Sequence, residues 1–249
     1  MVDLKIYVKK FLDSYFTGAS SNSINSIRSG KIINRIHDYA QDFLVSVGVP
    51  DSYIVRDRKC EGYFKQKEQD ILVTKSVDNV CKDPEISINV RSQMSSIQKN
   101  FDTLFERLVA ESVNLHERYE DLTCGYLYLI PTVGLDSAAL KKGKVIPKER
   151  YNLEKYIDCF LKIAARKSST DDKYKYEAMG LIIVDIRDDG SFSIVSDLEY
   201  VYSLGRVSHE FFLEYRNKFA DLNPFQTMNT ILNVYDSRKG IGNIVRRIK

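Results

Sequence analysis

The stretch EISINVRSQMSSIQKNFDTLFERLVAE, residues 85 to 111, changes period part-way along. Ile86, Ile88 and Val90 alternate with Glu85, Ser87, Asn89 and Arg91, the two-residue period of a strand. From Ile97 onward the apolar positions Ile97, Phe101, Leu104, Phe105 and Leu108 fall three and four apart, the period of an amphipathic helix. A strand that runs straight into a helix, each with an apolar side, predicts a helix laid on a sheet. The other side of that strand carries an acid, a hydroxyl, an amide and a guanidinium, which makes it the first place to look for chemistry.

Upstream of it, Leu4, Val8, Phe11, Leu12, Tyr15 and Phe16 predict a helix over about residues 2–16, and Ile33, Ile36, Tyr39, Ala40, Phe43 and Leu44 a second that stops near Gly48 and Pro50. Between them Thr17 to Ser26 reads as a polar loop. Tyr53 to Val55 and Asp70 to Val73 read as strands, the latter forming a hairpin with the strand from Glu85. Downstream, buried strands at 125–130 and 179–185 alternate with helices at 97–118 and 151–166, followed by an edge strand at 192–195 and helices at 209–219 and 224–235. Leu135 to Arg150 and Lys167 to Lys175 read as charged loops. Strands alternating with helices predict an α/β fold, a mixed central β-sheet flanked by helices, in a single domain over 1–249. Its expected parts are N-terminal helices to residue 50, an α/β core over 51–185 and a C-terminal edge strand with helices.

Composition narrows the function classes. The 37 basic residues exceed the 34 acidic ones by only three, so a polyanion partner needs local clustering of charge. No window of eighteen apolar residues exists and the N-terminus lacks an apolar signal core, so the expected setting is the cytoplasm, without a membrane. Cys60, Cys81, Cys124 and Cys159 stand far apart and pair with none of His37, His116 and His209 at a zinc-ligand spacing. They read as reduced thiols. His116 and His209 have no nucleophile and acid beside them, which sets aside Ser-His and Cys-His catalysis.

Asp70 opens its strand, and the partner strand presents Glu85, Ser87, Asn89 and Arg91. Carboxylates at a hairpin end can hold a divalent cation through oxygen, and a nearby positive charge can organise the attacking water, as phosphodiester hydrolysis requires. The plainer reading is that Asp70 caps the strand and that Asn89 and Arg91 are polar residues fixing the register of the sheet.

The words EGYFKQKEQDILV (61–73), INVRSQ (88–93) and KNFDTLFERLVAE (99–111), in the order helix, strand, Asp-headed strand, strand, helix, strand, resemble the PD-(D/E)xK nuclease superfamily. Within it they are similar to XhoI-like type II restriction endonucleases, which carry a Gly-Tyr-Phe, an Asp-headed strand and a Glu-x-Lys-Ser-Gln strand. The resemblance is strongest over about 60–131 and extends weakly to about 185. It implies a restriction-endonuclease-like core, Mg2+ as cofactor, cleavage of double-stranded DNA in a restriction or phage-defence system, and a two-fold dimer that cuts both strands of a palindrome.

Carried over position by position, Asp70 matches the first metal-binding aspartate, Asn89 the second carboxylate and Arg91 the catalytic lysine. Asparagine removes about one unit of negative charge beside the cation, roughly several kcal/mol of attraction. Arginine keeps its charge and cannot serve as a base. Families of this kind can take the missing acid from the following helix, where Glu106 and Glu111 are candidates. At about 100° per residue Glu111 falls at the margin of the apolar stripe and Glu106 points nearly opposite, so Glu111 is the expected acid. Glu85 shares the strand face but sits about 13 Å from Asn89 at ~3.3 Å per residue, so it would flank the site.

For DNA, the candidates are Gln93 and Ser95 at the helix start and Lys65, Lys99, Lys141, Lys142 and Lys144 around it, with Lys67, Arg107, Lys148 and Arg150 nearby. The Ser95-Ser96 pair reads first as an N-cap and second as a phosphate contact. Three readings follow: a metal-dependent endonuclease; a nuclease-fold protein that binds DNA without cutting it; and an α/β domain with another ligand at the carboxyl ends of its strands.

Overall fold

A computed structural model describes residues 2–20, 32–76, 78–142, 144–187 and 189–245. A seven-stranded sheet runs through it. The strands are β1 (Ile54–Cys60), β2 (Lys67–Thr74), β3 (Val80–Cys81), β4 (Pro84–Ser92), β5 (Thr123–Pro131), β8 (Ala178–Ile186) and β9 (Phe192–Ile194), in the spatial order β3-β1-β2-β4-β5-β8-β9. β1, β2 and β4 pair antiparallel, β4, β5 and β8 parallel, and β9 antiparallel to β8, so the expected mixed sheet is present.

Alternation in the central strands divides the sheet into two buried faces. Ile71, Val73, Ile86, Ile88 and Val90 join Leu127, Leu129, Ile182 and Val184 beneath helices α1 (Leu4–Ser20), α2 (Asn34–Ser46) and α8 (Pro224–Lys239). Leu72, Tyr126, Tyr128, Ile130, Leu181 and Ile183 face α3 (Ile97–His116) and α5 (Leu153–Lys162). A helix on each face explains why β5 and most of β8 read as unbroken apolar runs. Gly125 of β5 is where α8 comes closest, since a Cβ there would stand 2.1 Å from Ile231 Cδ1.

Several expectations are corrected. α1 continues through Ser20, so Thr17 to Ser20 of the predicted polar loop are helical, and the rest of that stretch lies outside the described residues. The helix predicted to 166 stops at Lys162, and the one predicted to 219 stops at Tyr215. Leu135 to Arg150 is no plain loop. β6 (Gly134–Leu135) pairs with β7 (Pro147–Glu149), and a one-turn helix, α4 (Ser137–Leu140), starts on Asp136, whose Oδ1 accepts from the N–H groups of Ala138 and Ala139. Leu135 and Leu140 are buried and pin this hairpin to the body. Two short helices, α6 (Leu198–Ser203) and α7 (His209–Tyr215), complete the C-terminal part. Residues 246–249 of the basic end lie outside the described residues.

Candidate active site

Strands β2 and β4 part company at Asp70. Their backbone pairing ends at Ile71↔Ile88, and beyond it side chains take over the ladder. Asn89 Oδ1 accepts from the Asp70 N–H at 2.9 Å, while Asp70 Oδ2 accepts from the Val90 N–H at 2.6 Å. Asp70 and Asn89 are thus locked to one another.

Behind them lies a buried network. Asn89 Nδ2 donates to Gln69 Oε1 at 2.8 Å and to Glu111 Oε1 at 3.1 Å; Gln69 Nε2 also donates to Glu111, and the Ser87 hydroxyl donates to Gln69 Oε1. Ser87, Asn89, Gln69 and Glu111 are all buried, so the middle of the polar face of β4 is covered by α3, while Arg91 at its end is exposed. Burial pushes the Glu111 carboxyl above its usual range, opposed by Lys67, Arg91 and the Gln69 hydrogen bond. A glutamate at position 89 would set its charge against Gln69 Oε1 and Glu111, whereas an amide satisfies both acceptors. The acid thus stands on the helix and the amide on the strand.

The candidate residues part into groups. Asp70, Arg91, Gln93, Ser95 and Lys141 line one cleft of about 640 Å³, between the N-terminal helices, the end of β4 and α4. Glu111 is buried next to Asn89, as its place on the helix predicts, and Glu106 is exposed. Glu85 does not flank the cleft: it sits at the opposite end of β4, where its Oε2 accepts from Lys239 at 3.0 Å and Tyr235 at 3.2 Å. Lys65, Lys99, Lys141, Lys142 and Lys144 are exposed and, like Arg91, form no ion pair with the described residues. Lys148, by contrast, pairs with Asp136.

The cap expected at the start of α3 is absent. Ser96 occupies the N-cap position in a left-handed conformation (φ 54) and its hydroxyl meets Ser137 Oγ at 3.0 Å instead of a helix N–H. Such a backbone costs about 1–3 kcal/mol and must be held by its surroundings. Gln93 Nε2 and Asn100 Nδ2 both donate to Ser96 O, and Tyr128 donates to Gln93 Oε1. Both ends of the Gln93 amide are therefore committed to shaping the loop.

Two features beside Asp70 escaped the sequence reading. His37 of α2 is 2 % exposed, both ring nitrogens lack a hydrogen-bond partner among the described residues, and its Nε2 lies 3.9 Å from Asp70 Oδ2. Burial holds the ring below the ordinary histidine pKa, against the pull of Asp70. Asp57, in a left-handed conformation (φ 49), falls between the pairs Arg56↔Ile71 and Arg58↔Gln69 and so opposite Asp70. Burial and the Asp57 charge raise the Asp70 carboxyl; the Val90 N–H, His37 and Arg91 oppose them. Neither feature has a signal in local spacing, because both depend on which elements meet across the sheet.

A cation fits this place by its donor chemistry. Asp70 lines the cleft, its Oδ1 accepts no hydrogen bond from the described residues, and an orphaned buried imidazole stands beside it. Another grouping fits poorly. His116, Cys124 and Glu177 place ligand atoms within 4.8 Å of one another. Glu177 Oε1 already binds Arg166 and Arg238, each at 2.8 Å, and Oε2 accepts the Cys124 N–H at 2.6 Å. Two guanidiniums on one carboxylate leave no net negative charge for a metal, so this is a buried ion-pair cluster.

At the end of the sheet toward which β4 runs, the β1–β2 turn holds out Tyr63 and Phe64, 62 % and 70 % exposed. Asn114 of α3 fixes the turn: its Oδ1 accepts from the N–H groups of Phe64 and Lys65, and its Nδ2 donates to Lys65 O. Gly62 is required there, because a Cβ would lie 2.0 Å from Asn114 Nδ2. Compared with family models, curated proteins and solved structures, the chain matches none.

Proposed function

We propose that the protein is a metal-dependent, sequence-specific endonuclease that hydrolyses phosphodiester bonds of double-stranded DNA, working as a cytoplasmic homodimer in a restriction or phage-defence system. The observation that carries the reading is that Asp70 and Arg91 open into one cleft, rimmed by Lys141, while Asn89 ties Asp70 to the buried acid Glu111. A bound Mg2+ would supply Lewis-acid polarisation of a phosphoryl oxygen and a more acidic water. Asp70 would hold it, with Glu111 as the supporting negative charge. Arg91, exposed and always protonated, would steady the charge that develops on the phosphate. Lys141, Lys142 and Lys144 would grip flanking phosphates.

One observation favours a second reading, DNA binding without cleavage. Asn89 commits both its groups to Asp70, Gln69 and Glu111, and Glu111 Oε1 is occupied by two amides, so only one carboxylate of the strand-helix pair faces the cleft. Incubation of unmodified DNA with the protein and Mg2+ or Mn2+ separates the two. Discrete double-strand cuts support the endonuclease, and a retarded but intact duplex supports the binding module. Neither binding nor cutting overturns both.

A further inference from the structure

We propose that His37 is a nitrogen ligand to the cation held by Asp70, and that the site therefore selects a first-row transition ion, such as Mn2+ or Co2+, over Mg2+. This rests on the reading of Asp70 as a cation ligand.

A buried polar group without a partner is costly, and His37, almost fully buried, has two nitrogens with no partner among the described residues. Its Nε2 is 3.9 Å from Asp70 Oδ2, too long for a hydrogen bond. At bonds of about 2.0–2.2 Å and octahedral or tetrahedral angles two ligand atoms stand about 2.8–3.6 Å apart, so a closure of about 0.3–1 Å from the 3.9 Å spacing brings both groups onto one ion. Burial lowers the affinity of the imidazole for a proton, which favours the neutral ring that a metal ion requires. Asp57, opposite Asp70, adds negative charge that bears on both groups.

The selectivity follows from ligand type. Mg2+ takes oxygen ligands in near-ideal octahedral geometry and keeps its waters. Imidazole nitrogen suits the first-row transition ions, and affinity rises from Mn2+ to Co2+ in a mixed nitrogen and oxygen site. A carboxylate with a histidine thus discriminates where two carboxylates would not.

The test uses the whole chain and the metal ions alone. Calorimetry should show Co2+ binding at least tenfold tighter than Mg2+. His37→Gln should weaken Co2+ binding at least tenfold and leave Mg2+ within about threefold, whereas Asp70→Asn should abolish both. Pulsed electron paramagnetic resonance of bound Mn2+ should show coupling to one imidazole nitrogen. If His37→Gln fails to fold, the same coupling retained in His116→Gln and His209→Gln assigns it to His37, since the chain has three histidines. Mn2+ bound without nitrogen coupling, or Co2+ affinity unchanged in a folded His37→Gln, overturns the inference. Nitrogen coupling in a protein that cuts no DNA upholds it and sinks the endonuclease reading. DNA cleavage without nitrogen coupling does the reverse.

Discussion

Asn89 and Glu111 share a hydrogen bond of 3.1 Å, an amide on the strand holding an acid on the helix, and both side chains are buried. Each is suited to the other: the amide donates where the carboxylate accepts.

The pair should be energetically coupled. Asn89→Asp places a second carboxylate against Gln69 Oε1 and Glu111, and the loss should be about 3 kcal/mol, the scale of an uncompensated buried charge. Adding Glu111→Gln supplies a donor and removes one charge, so at least about 1 kcal/mol should return. Urea unfolding of the two single variants and the double variant reads this coupling. Strictly additive losses would contradict it.

The cluster around Glu177 sets an acid limit on stability. Burial alone would raise its carboxyl, but the hydrogen bond and charge of His116, the Cys124 N–H and Arg238 pull it below the usual range. A carboxyl depressed in the folded state stabilises above its unfolded pKa, and the contribution is lost as pH falls through the folded value. Stability should therefore drop as pH falls below about 4.5, the ordinary glutamate value. Glu177→Gln should cost about 3–5 kcal/mol at neutral pH by leaving Arg166 and Arg238 without their acid, and should flatten that acid dependence. Thermal melts from about pH 3 to about pH 7 check both.

The Tyr63-Phe64 turn should loosen when its anchor is cut. Asn114→Ala removes three hydrogen bonds and should cost about 1–3 kcal/mol. Hydrogen exchange at the Phe64 and Lys65 amides should accelerate more than at β5, which the anchor does not touch. Equal acceleration at both would mean global destabilisation only.

If the cleft grips DNA, replacing any one of Lys141, Lys142 and Lys144 should lower the dependence of log affinity on log salt by about 0.9 for each phosphate that the lysine neutralises. The weakening should be nearly the same for all sequences. Glu106→Gln, on the exposed side of α3, should leave the slope unchanged.

What could be read in advance was what local period encodes. The alternation of Ile86, Ile88 and Val90 placed β4, and the spacing of Phe101, Leu104 and Leu108 showed that Glu111 and not Glu106 faces the sheet. Gln69, Asp57 and His37 were missed because their roles arise from the register of β2 against β1 and β4 and from the docking of α2, which no local window contains. The hairpin over 134–149 escaped because strands of two and three residues have no measurable period. The Ser95-Ser96 reading failed because the Ser137 contact, 41 residues away, outcompetes a local cap.

Asp70 as the anchor of a cation-dependent phosphodiester hydrolase is the proposal on which the others lean. It is tested by the rate at which the wild type and Asp70→Asn cut unmodified double-stranded DNA in Mg2+, Mn2+ and Co2+, with folding of both confirmed by thermal melts. Discrete double-strand cleavage by the wild type is expected in at least one of these ions, with none in EDTA. The variant should lose at least about a thousandfold, the scale of removing a principal source of transition-state stabilisation. Intact DNA with the wild type in all three ions, or equal cleavage by Asp70→Asn, would contradict the proposal.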